Sequence, residues 1–336
     1  MRTAIRLVAL LAATVPAAAV SQPVPLHEWQ VPWKDSRPRD PVADTQGRVW
    51  FVGQAGNYVA TLDPATGQFH KFAIDSGAFP HTVNLDARGN AWFTGNRNGT
   101  INRIDAATGK ITRYPVADAS VRDPHTIAFA PNGDLWFTAQ FSNAVTRMNP
   151  STAQMRVVKM PGKDWRPYGI AMDSKGRPWF DLFGTNRIGT IDPATMQLKT
   201  FPLPNDRARP RRIAVTSDDM VWYVDYVRGF IGRLDPKSGA VKEWQNPAGA
   251  ASLPYAMTVD DQDRLWFVET GTKPNRLVGF DPKGEKFFGM TDIGGGNAPN
   301  TVRHMTFDRA TGQIWFGTDL GTIGRATVGA KNKPIS

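Results

Sequence analysis

Seven residues able to carry a proton or a positive charge stand at one recurring place in this chain. Arg39, His81, His125, Tyr168, Arg211 and Tyr255 each precede a tryptophan by eleven residues, and Arg303 precedes another by twelve. Three guanidiniums, two imidazoles and two phenols gathered in one place would orient a small-molecule or anionic ligand. Histidine would be the natural proton carrier near neutral pH. Acids follow the same tryptophans: Asp225 and Glu269 lie three residues after theirs, and Asp181 and Asp319 sit one place off that register. Together with Asp123 in Asp123-Pro124-His125, Asp225 and Glu269 are oxygen donors of the kind Mg²⁺ takes, with Ca²⁺ as the alternative. His27 and His70 read as surface histidines. His304, directly after Arg303, reads as a packed histidine on the opposite face of its strand.

Much chemistry is excluded by what the sequence lacks. With no cysteine among 336 residues, a disulfide framework, thiolate zinc, an iron–sulfur cluster, cysteine-attached haem and a thiol nucleophile all fall away. There is no HxxxH, HExxH or EF-hand spacing. No glycine-rich loop joins a strand to a helix, so no nucleotide is expected, and Gly294-Gly295-Gly296 lacks that context. No G-x-S-x-G elbow marks a serine nucleophile.

The elements that must position these residues follow from the tryptophans. An aromatic pair recurs at Trp50-Phe51, Trp92-Phe93, Trp136-Phe137, Trp179-Phe180, Trp222-Tyr223, Trp266-Phe267 and Trp315-Phe316, at spacings of 42, 44, 43, 43, 44 and 49 residues. Before each pair comes a turn such as Pro131-Asn132-Gly133-Asp134. After it comes a short strand ending in Asp and a turn such as Asp63-Pro64-Ala65-Thr66-Gly67, where Pro fixes φ and Gly takes the left-handed corner. Each unit therefore holds four short strands, and no stretch beyond the leader has helical periodicity. The spacing predicts an all-β fold, a seven-bladed β-propeller with four antiparallel strands per blade. The last repeat stops at its third strand, 322–327, and residues 26–32 match the missing fourth, so the N-terminal strand is expected to close the last blade. Large aromatics repeated on every second strand read as packing between blades.

Composition agrees. Hydrophobic residues make up 41% and charged residues 21%, which suits a buried core, and 31 Gly with 26 Pro suit many tight turns. Residues 1–21 carry Arg2 and Arg6, an apolar core too short to span a bilayer, and small residues at 17–21. They read as a bacterial signal peptide, leaving 22–336 as a single propeller domain, periplasmic or secreted, with no transmembrane segment. The formal net charge of +10 falls by two with the leader. The remaining Lys and Arg are scattered, so no nucleic acid is expected.

The repeat residues resemble the streptogramin lyase (virginiamycin B lyase) family. The resemblance rests on Asn132-Gly133-Asp134-Leu135-Trp136-Phe137-Thr138, on Asn186-Arg187-Ile188-Gly189-Thr190-Ile191-Asp192 and on Pro124-His125-Thr126-Ile127, and it spans the mature chain. It implies a lyase that opens an ester by elimination with Mg²⁺ at the channel mouth. It puts His125 in the role of base, with His81 the second histidine of the adjacent blade, and Asp123 as the first metal acid. The family's Glu falls at Ala139 in that blade, whereas the Trp-Phe-x-Glu of this chain ends at Glu269, in the blade of Tyr255. On the residues alone two other readings stand: a non-catalytic module binding a ligand or a periplasmic partner protein, and a gluconolactonase-like lactone hydrolase.

Overall fold

The computed structural model of the protein describes residues 23–329, so the expected leader at 1–21 lies outside the described residues. Twenty-eight strands form seven four-stranded antiparallel sheets, and one short 3₁₀ turn, Gly249–Ser252, is the only helical element described. Blade 1 covers residues 38–73, blade 2 80–115, blade 3 124–159, blade 4 167–202, blade 5 210–245 and blade 6 254–292. Blade 7 takes its three inner strands from 302–327, and its outer strand is Leu26–Gln30, paired from Leu26↔Ala326 to Gln30↔Thr322. The ring thus closes between the two ends of the chain, as the leftover N-terminal strand predicts. The innermost strands touch their neighbours all the way round, blade 7 to blade 1 included.

Why the aromatic pair recurs is visible in the packing. Successive side chains on a strand point to opposite faces. Each Trp therefore faces the following blade, and the Phe or Tyr after it faces the preceding one. Trp50 packs with Phe93, Trp92 with Phe137, Trp136 with Phe180 and Trp179 with Tyr223. All seven tryptophans are essentially fully buried. Four stack on an aromatic of their own blade's outer strand: Trp50 on Phe72, Trp92 on Tyr114, Trp222 on Trp244 and Trp315 on Trp29. The glycine of the Ile-Gly-x-Ile-Asp string has a packing reason too. Gly189 pairs with Phe180, and a Cβ there would come within 2.4 Å of the ring.

A second device holds the tryptophans. In blades 1, 2, 4 and 6 an aspartate six residues earlier caps the hairpin and also accepts the indole N–H: Asp44 from Trp50 at 3.1 Å, Asp86 from Trp92 at 2.9 Å, Asp173 from Trp179 at 3.1 Å and Asp260 from Trp266 at 2.9 Å. Thr216 does the same for Trp222. Blade 7 has one more residue in this hairpin: Asp308 holds the corresponding place but accepts from the Ala310 N–H and the Thr311 hydroxyl, and the buried Trp315 Nε1 has no hydrogen-bond partner among the described residues.

Candidate functional site

Six of the seven inner strands begin with proline, an acceptable first residue on an edge that has no ladder partner to receive an N–H. That proline, or Val302 in blade 7, pairs with the residue three after Trp: Pro124 with Ala139, Pro210 with Asp225, Pro254 with Glu269. The residue eleven before Trp thus lies one place beyond that pair. A β-bulge follows in every blade. A bulge adds an unpaired residue and re-aims its side chain. Two consecutive residues per blade, not one, are thereby delivered to one end of the channel.

The first of each pair is the ring Arg39, His81, His125, Tyr168, Arg211, Tyr255 and Arg303, and the structure brings its members together. The rings of His81 and His125 are 3.6 Å apart by centroid and those of His125 and Tyr168 4.2 Å apart, and the hydroxyls of Tyr168 and Tyr255 are in direct contact. The Arg211 guanidinium lies 3.8 Å from the Tyr255 ring and 4.1 Å from that of Tyr226. Arg303 pairs with Asp319 at 2.6 Å. The second residue of each pair was missed from the sequence: Asp40, Thr82, Thr126, Arg212 and His304 join the site. Arg212 bonds Thr126 Oγ1 at 3.1 Å and the Arg303 carbonyl at 3.1 Å. The Thr82 hydroxyl lies 2.7 Å from the Asp40 carboxylate. His304, expected to pack on the far face, instead has its Nδ1 4.0 Å from Asp40 on the inner strand of the adjacent blade 1, beside the bulge. The only sequence signal for this layer was adjacency to the first ring.

Burial sets the charge states. Burial and the guanidiniums of Arg39 and Arg212 push His81 well below its ordinary value, and burial with Arg212, Arg39 and Arg211 does the same for His125. Both imidazoles are neutral at neutral pH. Burial pushes the Asp181 carboxyl well up. For Asp40, burial acts upward but is outweighed by His304, Arg39 and Arg212, so it stays a carboxylate. Arg39 Nε and Nη2, Arg211 Nε and Arg212 Nη2 have no hydrogen-bond partner among the described residues.

The three acids expected to hold a metal are not brought together. Asp123 caps a loop, accepting from the backbone N–H of Phe141 at 2.6 Å and of Ser142 at 2.9 Å. Asp225 accepts from three backbone N–H groups and from Arg228 at 3.1 Å. Glu269 is bound by Arg276 at 2.6 Å and by the Ala248 N–H. Carboxylates that sit in three different blades, each already serving as acceptor to its own partners, do not fit a shared divalent ion, which needs several oxygens converging at roughly 2.0–2.6 Å. At the other end of the channel a cleft of about 570 Å³ is lined by Phe129, Met172 and Val215 among others. Its acids Asp173 and Asp219 are already bonded to Arg177 and Ser174, so the convergent chemistry lies at the bulged end.

A model of the Virginiamycin B lyase family matches residues 24–326. The chain belongs to the virginiamycin B lyase family. Solved members superpose closely. The virginiamycin B lyase from Staphylococcus aureus is 26% identical with a TM-score of 0.81, the alignment covering 90% of this chain and 99% of that one. A catalytically inactive histidine-to-alanine variant of the same enzyme, solved with quinupristin, aligns at 25% identity over the same shares. The extracellular domain of a putative one component system from B. thetaiotaomicron, 17% identical, shares the fold with a TM-score of 0.69 over 94% of this chain and 43% of that one. No curated protein sequence matches the chain. No helix among the described residues is long and apolar enough to cross a membrane.

Proposed function

We propose that the chain is an exported lyase that opens an ester- or lactone-like substrate by C–O elimination at the bulged end of its channel. Family membership supplies the reaction class. The observation that carries the reading is the convergence, in one enclosed place, of neutral imidazoles with three guanidiniums, Arg39, Arg211 and Arg212, that have N–H groups to spare. In such an elimination a base takes the proton α to a carbonyl, the C–H electron pair becomes a C=C bond, and the ester oxygen leaves as a carboxylate. His125 is the neutral imidazole placed to take that proton, with His81 stacked beside it. Arg211 and Arg303 would stabilise the enolate oxygen and the departing carboxylate, a role fixed cations perform well where water is scarce. The residues of this chain perform these steps without a metal set. Export rests on the 1–21 leader.

A panel of cyclic depsipeptides, lactones and acyclic esters, followed by mass spectrometry, tests the reading. Elimination opens a ring without changing its mass and leaves an unsaturated product, whereas a lactone hydrolase adds one water. No turnover anywhere in the panel would favour the second reading, a ligand-binding module. The engagement of Asp225 and Glu269 by arginines is the observation on its side.

A further inference from the structure

The histidines of this site are poorly built to keep a proton. Protonating His125 would place a further positive charge in a buried cluster that already holds Arg39, Arg211, Arg212 and Arg303. The carboxylates facing these four are Asp40, beside Arg39 and Arg212, and Asp319 beside Arg303, while burial pushes the Asp181 carboxyl well up. Four guanidiniums thus share two ready carboxylates, and Arg211 has none at ion-pair distance among the described residues. Arg211 is packed among the rings of Tyr168, Phe183, Tyr226 and Tyr255 instead. Uncompensated buried charge is costly, and the group that can relieve it lies in contact.

We infer that Tyr255, whose hydroxyl touches that of Tyr168, rests as a phenolate that neutralises spare guanidinium charge in the channel site and offsets the charge of His125 when that residue takes a proton. This rests on the lyase reading. Everything that faces Tyr255 supports the assignment. Arg211 stands 3.8 Å from its ring, Arg212 5.8 Å and Arg303 5.9 Å, while Tyr226 presents a ring edge at 6.1 Å and Tyr168 touches its hydroxyl. Burial acts to raise the Tyr255 phenol, but Arg211, Arg39, Arg212 and Arg303 outweigh it and bring it down to about 7. Tyr168, buried and beside that phenolate, is pushed up and remains the donor of the pair. His81, His125, Tyr168 and Tyr255 lie in one ring cluster, with successive centroids 3.6, 4.2 and 6.1 Å apart for the pairs His81–His125, His125–Tyr168 and Tyr168–Tyr255. The balance is complete. The substrate's α-proton passes to His125, the C–H pair forms the double bond and the carboxylate departs. The Tyr255 phenolate offsets the imidazolium charge until His125 loses the proton to water after product release.

The test reads ionisation directly and needs no substrate, so its failure is distinguishable from failure of the lyase reading. Ultraviolet difference absorbance of the folded wild type should show one tyrosinate forming near neutral pH, with the remaining tyrosines ionising far above it. Tyr255→Phe should abolish this step and His125→Ala should keep it. Arg211→Met should move it upward by at least about one pH unit, because a guanidinium at contact distance is removed. If Tyr255→Phe does not fold, the wild-type titration and Arg211→Met decide. A wild type in which no tyrosine ionises below about pH 9, against the ordinary value near 10, overturns the inference. In that case a melting temperature raised by acetate or citrate would reassign the spare positive charge to a bound anion.

Discussion

At the scale of single residues, the site works by what burial does to charge. His125 and His81 stay neutral because burial and the neighbouring guanidiniums disfavour their protonated forms, and Arg211 is surrounded by aromatic rings rather than by carboxylates. Arg211 pairs with no carboxylate among the described residues, and Tyr255 can take up a proton when the guanidinium is removed, so Arg211→Met should leave the fold intact, with a melting temperature within a few degrees of wild type. Ester opening should fall roughly 10²-fold or more, the usual effect of removing one donor to a developing oxyanion. Comparing kcat with thermal melts of the same preparation checks this. A matched loss of activity and stability would make Arg211 a structural residue. Glu269→Gln should behave oppositely: it breaks the bond to Arg276 and lowers stability by about 1–3 kcal/mol, as when one partner of a buried charged pair is neutralised, while the channel chemistry persists. Urea unfolding alongside turnover separates the two effects.

At the scale of elements, the hairpin around each tryptophan ties sequence to site. Asp260 holds both the Trp266 indole and the Arg264 guanidinium, and Asp260→Ala should cost about 2 kcal/mol in chemical unfolding. These elements also explain what was legible beforehand. The Trp-Phe repeat and the Asp-Pro-Ala-Thr-Gly turns encode periodicity and φ preferences locally, so the blades, their number and the closing strand could be read from the sequence. The first ring of channel residues was legible for the same reason. Its second layer was not, because a bulge leaves no residue-type signature at Asp40, Arg212 or His304, and simple strand alternation points those residues away. The partners of Asp123, Asp225 and Glu269 were equally hidden. Arg276 reaches Glu269 from the neighbouring strand and Asp225 caps backbone N–H groups, contacts that depend on loop shape rather than spacing.

At the scale of the whole molecule, the ring is one closed circuit fastened by Leu26–Gln30. Trp29 stacks on Trp315 at 5.6 Å, and Glu28 accepts from Thr322 Oγ1 at 2.6 Å and from the Gly294 N–H at 2.9 Å. A chain beginning at Val31 should melt well below the full mature protein, and blade 7 amides should exchange first; uniform exchange would contradict closure by this strand. Stability should also fall on acidification. His81, His125 and His304, the last brought down to about 4 by burial despite Asp40, have folded-state values below their unfolded value near 6.5. Between those limits the unfolded chain binds more protons, so each histidine removes up to about 1.4 kcal/mol per pH unit as pH drops. Asp181, held protonated in the fold, offsets part of this. Melting curves across this window should decline toward acid, and a flat profile would mean that the histidines are not buried neutral. The central claim is that the bulged, cationic end of the channel performs the chemistry with the chain's own side chains. The most direct measurement is ring opening of an ester substrate by the mature protein in EDTA and again in excess Mg²⁺, followed by mass analysis. An unsaturated product of unchanged mass is expected at equal rates in both. Turnover that appears only with Mg²⁺ and disappears in Glu269→Gln would contradict it.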